Sequence, residues 1–244
     1  MVMMEELKQS VTPITHIADE QGEILYEAKL TNDPALINQY RLLRKKLYGI
    51  DERFVGFRLF NSIGAEDYDD ADNQMILITN GNRCYGGVSL RVSTPQQPVI
   101  LDLENDILPH PGEYYFSLRE RLPAMELDRY AYAECSRMTL HPSIRSREAT
   151  RRLLKAVLEQ CIAQRARYIF AISSMARLRF YKQIYASLGQ DGYIPEGIDI
   201  PMRPEYEGLK MYLSCGDMQS FHITAEDQYA QSLLRPSGDQ YSVY

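Results

Sequence analysis

Strand and helix patterns alternate along residues 130–188, and this stretch decides the fold. The chain reads YAYAECSRMTL at 130–140, REATRRLLKAVLEQCIAQRA at 147–166, YIFAI at 168–172 and MARLRFYKQIYASL at 175–188. The first and third segments have strand composition, whereas the second carries apolar residues at helical spacing and the fourth stops just before Gly189. Strand, helix, strand and helix in this order predict a right-handed crossover that joins two parallel strands.

The chain before this unit predicts one helix and an antiparallel meander. Asp33 followed by Pro34 is typical of a helix start, and Gly49 stands where the C-terminal cap is expected. Two β-rich runs, 74–79 and 84–92, flank a turn and predict a hairpin. The other expected elements are strands at 24–30, 54–60, 99–103 and 210–213 and a helix at 114–122.

One domain is expected to span residues 1–244, because no stretch rich in Gly, Ser or Pro separates two hydrophobic patterns. The polar segment 216–244 is expected to be a loosely held tail. No apolar run approaches the roughly 18 residues that span a bilayer, and the N-terminus lacks a secretory pattern, so the expected location is the cytoplasm. Cysteines and histidines are scattered without metal-ligand spacing, so neither a metal site nor a disulfide framework is indicated.

Charge is unevenly distributed along the chain. The net charge is −6, yet residues 145–182 hold ten Lys or Arg against two Asp or Glu. A basic stretch in an acidic body suits an anionic partner. Nucleic acid is not expected, because a chain with a pI of about 5.3 lacks the general basic excess of phosphate-dominated binding. A phosphate-bearing cofactor or an acidic protein fits at least as well.

The turn after the first strand of this unit carries a resemblance. Residues 140–145, LHPSIR, resemble the strand end and Arg-initiated turn of the GNAT acyltransferase superfamily, which wraps the pyrophosphate of an acyl donor at a helix N-terminus. The resemblance implies a GNAT-like α/β fold, with a mixed, twisted sheet, helices on both faces and splayed central parallel strands. Glu148 and Thr150 replace small residues of the superfamily pattern, which argues against ordinary coenzyme A and favours acyl groups carried on an acyl carrier protein.

Further motifs resemble the autoinducer (acyl-homoserine lactone) synthases and the related N-acyl amino acid synthases. Glu134, Ser136 and Arg137 match the Glu, any residue, Ser, Arg signature of that family. Arg44, followed four residues later by Tyr48, resembles its helix-borne Arg and aromatic residue.

Two upstream elements extend the same resemblance. The acidic run 66–72 fits an Asp, two residues, Asp element in two registers, Asp67 with Asp70 or Asp69 with Asp72. Arg91, which closely follows a Gly-Gly pair, sits one position away from the register of a family Gly and Arg on a strand.

Aminolysis of a thioester needs a base for the amine and an acid for the leaving thiolate. We expect Glu134 to act as the base, directly or through water, with Arg137 beside it, and Tyr181 to match the superfamily tyrosine that protonates the departing sulfur. The substrate-binding set is expected to be Arg44, Tyr48, Asp67, Asp70, Arg91 and Ser136, with Arg44, Arg91 or Arg137 as the carboxylate clamp. The residues expected to bind the phosphopantetheine arm or its carrier are Leu140, Arg145, Arg147, Thr150, Arg151 and Arg152, and those expected near the acyl chain are Ile169, Phe170, Leu178 and Phe180.

A regular strand would place Glu134 and Arg137 on opposite faces, because they are three residues apart. We therefore predict a β-bulge between them, as in the superfamily; a regular ladder through Cys135 and Ser136 would defeat the pairing. Structural roles stay open for several of these residues: Glu134 and Arg137 as an ion pair, Tyr181 in core packing and the arginines as a solvated helix face. His141 is interpreted as structural.

The predicted activity is transfer of a fatty acyl group from an acyl carrier protein to the amine of an amino acid or a related small amine, with no tightly bound cofactor. The acyl phosphopantetheine thioester is then a cosubstrate. The alternatives are an acyl-coenzyme A-dependent GNAT enzyme, an acyl-homoserine lactone synthase, and a non-catalytic module that binds an acyl ligand or a protein. We identify no site for S-adenosylmethionine in the sequence, which favours the amino acid as acceptor.

Overall fold

The computed structural model describes residues 26–50, 73–101, 103–104, 116–201 and 209–219. In these residues seven strands form one sheet in the order β1-β2-β3-β4-β5-β7-β6. The strands are β1 (Glu27–Thr31), β2 (Gln74–Asn80), β3 (Arg83–Ser93), β4 (Ala131–Leu140), β5 (Ala166–Ser173), β6 (Gly192–Tyr193) and β7 (Tyr212–Asp217). The helices are α1 (Pro34–Ile50), α2 (Leu118–Arg121), α3 (Arg147–Ala163) and α4 (Met175–Ser187).

The sheet is mixed, and its single parallel pair lies at the centre of the described strands. β4 and β5 are parallel and are joined through α3, as the alternating pattern predicts, whereas the other neighbouring strands are antiparallel. The hairpin of β2 and β3 is confirmed, and its turn residue Gly81 has a φ of 56°, in the left-handed region that favours glycine.

Helices cover both faces of the sheet, because alternate strand residues are apolar on both sides. On one face α1 buries Leu36 and Tyr40 against Met75 and Leu77 of β2. Asp33 caps this helix as predicted, since its Oδ1 accepts a hydrogen bond from the Ala35 N–H at 2.8 Å.

On the opposite face α3 packs its apolar stripe against the centre of the sheet. Its N-cap residue Ser146 accepts a hydrogen bond from the Ala149 N–H at 3.1 Å. The stripe, which is buried among side chains of β2, β3 and β4, consists of Ala149, Leu153, Leu154, Val157, Leu158 and Cys161. Burial of such a stripe against the sheet is the main source of stability for a helix of this length.

Several predicted elements differ from the structure. The strand predicted at 99–103 is wrong, because residues 99–101 have no strand pairing and Leu103 lies in a turn. The helix predicted at 114–122 is only Leu118–Arg121 among the described residues. α3 ends at Ala163 rather than 166, because Arg165 adopts a left-handed φ of 55° that no helix continues through.

The last strand, β7, extends to Asp217, and Met218 is fully buried in the core beside α3. The predicted strand at 54–60 and the acidic run 66–72 lie outside the described residues. In the part of the chain that the structure describes, no helix is long and apolar enough to cross a bilayer.

Candidate active site

The parallel strands β4 and β5 diverge halfway along their length. Their register runs from Ala131 opposite Ala166 to Glu134 opposite Phe170 and stops there, although β4 continues to Leu140 and β5 to Ser173. Backbone N–H and C=O groups on the facing edges beyond this point are not bonded to each other across the gap. Such edges form a cleft that can hydrogen-bond an extended ligand in the way that a further strand would.

Charged and polar side chains line one face of β3 and β4 beside this cleft. Arg91 lies directly opposite Glu134 in the antiparallel ladder, and Ser89 lies directly opposite Ser136. We call these four residues the polar face. Arg91 and Glu134 are each only 4% exposed, so two opposite charges face each other away from bulk water.

An irregular segment crosses over this pair, and we term its described residues, 99–101 and 103–104, the strap. The Leu103 N–H donates to Glu134 Oε2 at 3.0 Å, and Arg91 Nη1 donates to the Ile100 carbonyl at 3.0 Å. The strap therefore shields both charges and orients the Glu134 carboxylate.

Glu104 fastens the strap to the next segment of the chain. Its carboxylate accepts hydrogen bonds from the N–H groups of Leu118, at 2.9 Å, and of Leu101, at 3.4 Å. Burial raises the pKa of this carboxyl, while the two backbone donors and the nearby Arg119 act in the lowering direction. The prediction of a strand at 99–103 missed this role. Alternating apolar residues such as Val99, Leu101 and Leu103 suit a strand, but they suit equally an irregular segment that buries every second side chain.

β4 contains the predicted bulge, but at a different place. The ladder is regular through Cys135 and Ser136, and two residues, Arg137 and Met138, stand opposite Val88. Arg137 has a left-handed φ of 58°. The bulge predicted between Glu134 and Arg137 is therefore wrong in position, because it begins at Arg137. The regular ladder through Cys135 and Ser136 argues against the expected pairing of Glu134 with Arg137, and Arg91 is the arginine that lies directly opposite Glu134.

Tyr40 of α1 holds the bulge in place. Its hydroxyl donates to the Arg137 carbonyl at 2.5 Å, and the Thr139 hydroxyl donates to the same oxygen at 3.2 Å. Arg44, one helical turn along α1, stacks on the Tyr40 ring with its guanidinium carbon 5.5 Å from the ring centre. The Arg44 Nε is buried and has no hydrogen-bond acceptor in the described part of the chain. Tyr40 was missed from sequence, because its helical spacing indicated only core packing.

Cys135, next to Glu134 along β4, points to the opposite face. Its side chain lies in the apolar cluster beneath α3. Burial, followed by the charge of Glu134, raises the pKa of this thiol to about 12. A thiol with this pKa is protonated at neutral pH and is a poor nucleophile.

Tyr181 and three of the four residues predicted near the acyl chain share a pocket between α4 and strands β5, β6 and β7. Ile169, Phe170, Leu178 and Tyr181 line it. Phe180 does not line the pocket and is 36% exposed, because it points away from the sheet. The cavity volume is about 40 Å³.

The predicted donor-binding arginines fall into two groups. Arg145 and Arg147 are exposed at the turn before α3 and at its first residue. Arg152 donates to Glu148 at 3.0 Å and to the Tyr26 carbonyl at 3.1 Å. Glu148 is also within 3.9 Å of Arg151, so it supplies the anion that stabilises these two cations near the helix start.

Leu140 and Thr150 are both buried. Leu140 packs in the apolar cluster, and the Thr150 hydroxyl donates to the Ser146 carbonyl at 2.9 Å. Of the other predicted residues, Asp67 and Asp70 lie outside the described residues, and for Tyr48 only the backbone, within α1, is described.

A basic cluster surrounds His141 where β4 ends. The backbone N–H of His141 donates to the Tyr85 carbonyl at 2.7 Å, and its ring Nδ1 accepts from the Ser143 backbone N–H at 3.2 Å. Burial first, and then the positive charges of Arg83, Lys46 and Arg145, lower the pKa of this imidazole. Lys46 and Arg83 come from α1 and β3, so no local sequence signal could have grouped them with the turn.

The mixed sheet, the helices on both faces, and the central parallel strands that part beside a bulge together define a GNAT-like α/β fold. Among solved structures the chain is similar to FeeM, an N-acyl amino acid synthase from uncultured soil microbes, with a TM-score of 0.50, 16% identity and coverage of 82% of this chain and 94% of that chain. It is also similar to BjaI, a CoA-dependent acyl-homoserine lactone synthase solved with SAM and isopentyl-CoA, with a TM-score of 0.53, 17% identity and coverage of 83% and 89%. These likenesses confirm the predicted fold. No protein-family model and no curated protein sequence matches the chain.

Proposed function

We propose that this protein is an N-acyltransferase that moves a fatty acyl group from the phosphopantetheine thioester of an acyl carrier protein to the amine of an amino acid. The observation that carries the proposal is the point where β4 and β5 part. The last pair of the parallel ladder is Glu134 with Phe170, so a buried carboxylate stands at the inner end of the cleft. An arm lying between the facing strand edges would bring its thioester to this carboxylate.

In the proposed reaction the amine nitrogen attacks the thioester carbon and the carbon–sulfur bond breaks. Glu134, directly or through a water molecule, removes the proton that the acceptor nitrogen must lose. The departing sulfur takes a proton from the Tyr181 hydroxyl, which lines the adjoining pocket. The products are an amide and the free thiol of the arm. The pKa of about 12 of Cys135 supports direct transfer over a cysteinyl intermediate.

The acceptor carboxylate is proposed to bind Arg44. Arg91, one of the candidate clamps, is buried beneath the strap and donates to the Ile100 carbonyl. Arg44 lies beside the bulge, stacked on Tyr40, and its buried Nε lacks an acceptor among the described residues. A guanidinium in this position can bind a carboxylate in bidentate fashion.

Two features support a carrier protein as the donor. The Ser146 hydroxyl already accepts from the first turn of α3, and Glu148 adds a negative charge there, so this helix start is poorly suited to a pyrophosphate. The cations around His141, Lys46, Arg83 and Arg145, come from three elements and suit the acidic surface of a protein partner.

The second candidate is a CoA-dependent enzyme. BjaI, one of the similar structures, is described as CoA-dependent and was solved with isopentyl-CoA. The nucleotide of the donor would then contact two exposed arginines, Arg145 at the turn before α3 and Arg147 at its first residue.

The first experiment is product detection by mass spectrometry. The protein is mixed with long-chain acyl carrier proteins, the twenty amino acids and SAM, beside matched reactions with acyl coenzyme A. An N-acyl amino acid formed only with the carrier protein is the expected result, and it names the acceptor. If product forms only from acyl coenzyme A, the donor in the proposal is coenzyme A and not the carrier protein. If the folded protein gives no product in any reaction, the proposed activity is overturned.

Tyr181→Phe tests the proposed acid, with Tyr185→Phe as its matched control. Both tyrosines are on α4 and one turn apart, and burial raises the pKa of Tyr185 well above its usual range. We expect Tyr181→Phe to lower kcat by roughly 100-fold, because it removes the proton donor while keeping the ring. Tyr185→Phe is expected to keep most of the activity, and equal losses in the two variants would assign Tyr181 to packing.

A further inference from the structure

Gln190 is a buried amide that lines the same pocket as Tyr181. It follows α4, where its backbone N–H donates to the Tyr185 carbonyl at 3.0 Å. Its side chain is 1% exposed, and Nε2 donates to the Asp191 carbonyl at 3.2 Å. That bond fixes the orientation of the amide, and Oε1 then has no hydrogen-bond donor in the described residues.

Gly216 makes room for this amide. It lies on β7, directly opposite Ile169 of β5 and Gly192 of β6. A Cβ atom at position 216 would collide with the Gln190 amide nitrogen and would lie 3.0 Å from Ile169 Cγ2. The glycine therefore allows a polar side chain to lie against the sheet inside a mostly apolar pocket.

Two other polar groups of the pocket have partners. The Ser214 hydroxyl donates to the Ala171 carbonyl at 3.2 Å, and the Cys215 thiol is hydrogen-bonded to the Tyr193 hydroxyl. Gln190 Oε1 differs from these two groups, because no hydrogen-bond donor reaches it in the part of the chain that the structure describes. A buried acceptor in this state disfavours any apolar group beside it and favours one that donates a hydrogen bond.

We propose that Gln190 selects acyl chains that carry a hydroxyl group far from the thioester. This inference rests on the proposed acyltransferase function and names the class of acyl group. The cavity of about 40 Å³ exceeds the roughly 10–15 Å³ that a water-sized group such as a hydroxyl needs.

The position of the hydroxyl follows from the sheet. Gln190 packs over β7, and β7 is two strands from β4 in the sheet. The proposed position of the thioester is beside Glu134 on β4. Two strand spacings are about 10 Å, so the hydroxyl belongs on a carbon near the middle or the end of a long chain. A hydroxyl next to the thioester would not reach Gln190.

The test compares acyl carrier proteins loaded with dodecanoyl, 3-hydroxydodecanoyl, ω-hydroxydodecanoyl and 11-oxododecanoyl groups. We expect kcat/KM to be at least about tenfold higher for the ω-hydroxy chain than for the plain chain, because only the hydroxyl donates to Oε1. The 11-oxo chain ends in a methyl ketone, which offers only an acceptor, so it is expected to be no better than the plain chain.

Gln190→Met is expected to remove or reverse the preference, since methionine has a similar shape and no amide. Gln183→Met makes the same change on the exposed side of α4 and is expected to keep the preference. Calorimetry provides a readout that does not need turnover. It measures binding of free ω-hydroxydodecanoic and dodecanoic acids to the wild type and to both variants.

The outcomes separate the two proposals. Acyl transfer without any preference for the ω-hydroxy chain overturns the role of Gln190 and leaves the proposed function standing. Tighter binding of ω-hydroxydodecanoic acid that is lost in Gln190→Met, without transfer from any donor, supports the pocket and overturns the proposed reaction. A preference for the 3-hydroxy chain alone contradicts the geometry and overturns the inference.

Discussion

The two faces of the β3–β4 pair are built from alternate residues of the same strands, yet different forces hold what covers them. On one face Val88, Leu90, Ala133 and Cys135 pack beneath α3 and α4, and we call this the apolar face. On the polar face Arg91 and Glu134 lie beneath an irregular strap that binds them by two hydrogen bonds. Nondirectional packing secures the first face, and a few directed contacts secure the second.

This difference separates stability from chemistry. A helix that buries an apolar stripe can shift slightly without a large loss of stability, because its packing energy is the sum of many weak contacts. A carboxylate that must meet a thioester has to be oriented within a fraction of an ångström, and hydrogen bonds from the strap provide such control. Substitutions on the apolar face should therefore change the free energy of unfolding, and substitutions on the polar face should change the rate.

Glu134→Gln is expected to have the largest effect. It keeps the shape and an oxygen that can accept from the Leu103 N–H, but it removes the base. We expect the kcat of the folded protein to fall by roughly 100-fold or more, while the free energy of unfolding falls by about 3 kcal/mol because the buried charge of Arg91 loses its partner. Steady-state rates and urea unfolding of the same preparations measure both quantities.

The opposite pattern would break the comparison between the faces. If Glu134→Gln unfolds the protein but its folded fraction turns over normally, the buried pair is structural and the base lies elsewhere. Activity that recovers at high pH, where more of the acceptor amine is already neutral, would further support the loss of a base.

Leu153→Ala is the matching test of the apolar face. Leu153 is fully buried in the stripe of α3, so its truncation leaves a cavity and is expected to cost about 2–5 kcal/mol. Leu42→Ala, on the exposed side of α1, is the control and should stay within about 0.5 kcal/mol. Activity per folded molecule should be unchanged in both variants, and a specific loss of rate in Leu153→Ala would show that the faces are coupled.

The parallel unit could be predicted from sequence, because its signals are local. Helical spacing along 147–166, a glycine after α4 and β-rich runs before each helix define the order without knowledge of tertiary contacts. The splay of β4 and β5 was expected from a resemblance alone, since nothing in the composition of either strand marks where their pairing ends at Glu134 and Phe170.

The contacts within the site could be predicted only in part, because they join distant segments. Glu134 was identified, but its cross-strand neighbour Arg91 follows from a register that depends on where the bulge falls. Tyr40 and Glu104 were missed, since a buried tyrosine on a helix and an acidic residue in a loop have common structural roles. Their functions follow from hydrogen bonds that span 97 residues, to Arg137, and 14 residues, to Leu118.

Gly87→Ala tests how closely α1 must approach the polar face. A Cβ atom at position 87 would collide with the Leu77 side chain and would lie 2.9 Å from the Ile76 carbonyl oxygen and 3.2 Å from the Tyr40 ring. We expect a cost of about 1–3 kcal/mol and a lower rate, because displacement of Tyr40 shifts the Arg137 carbonyl that its hydroxyl holds.

Gly81→Ala in the hairpin turn is the control for Gly87→Ala. No atom lies within 4 Å of its Cβ position, but its φ of 56° is unfavourable for alanine, so a cost of about 1 kcal/mol without loss of rate is expected. Equal losses of rate in the two variants would mean that general loosening of the sheet, and not the position of Tyr40, lowers the activity.

Glu104→Gln tests whether the Glu104 carboxyl holds the strap, and its readout is the pH dependence of the free energy of unfolding. Its expected effect is the smallest of these substitutions. Burial raises the pKa of the Glu104 carboxyl above its ordinary value of 4.5, so the folded protein favours the protonated form relative to the unfolded chain. Its contribution to stability is therefore complete below pH 4.5 and is lost as the pH rises through the raised pKa. Glutamine cannot ionise, so the difference in free energy of unfolding between wild type and Glu104→Gln should shift in favour of the variant over that interval. Urea unfolding at several pH values measures it, and parallel curves for the two proteins would mean that solvent reaches Glu104 and that other contacts hold the strap.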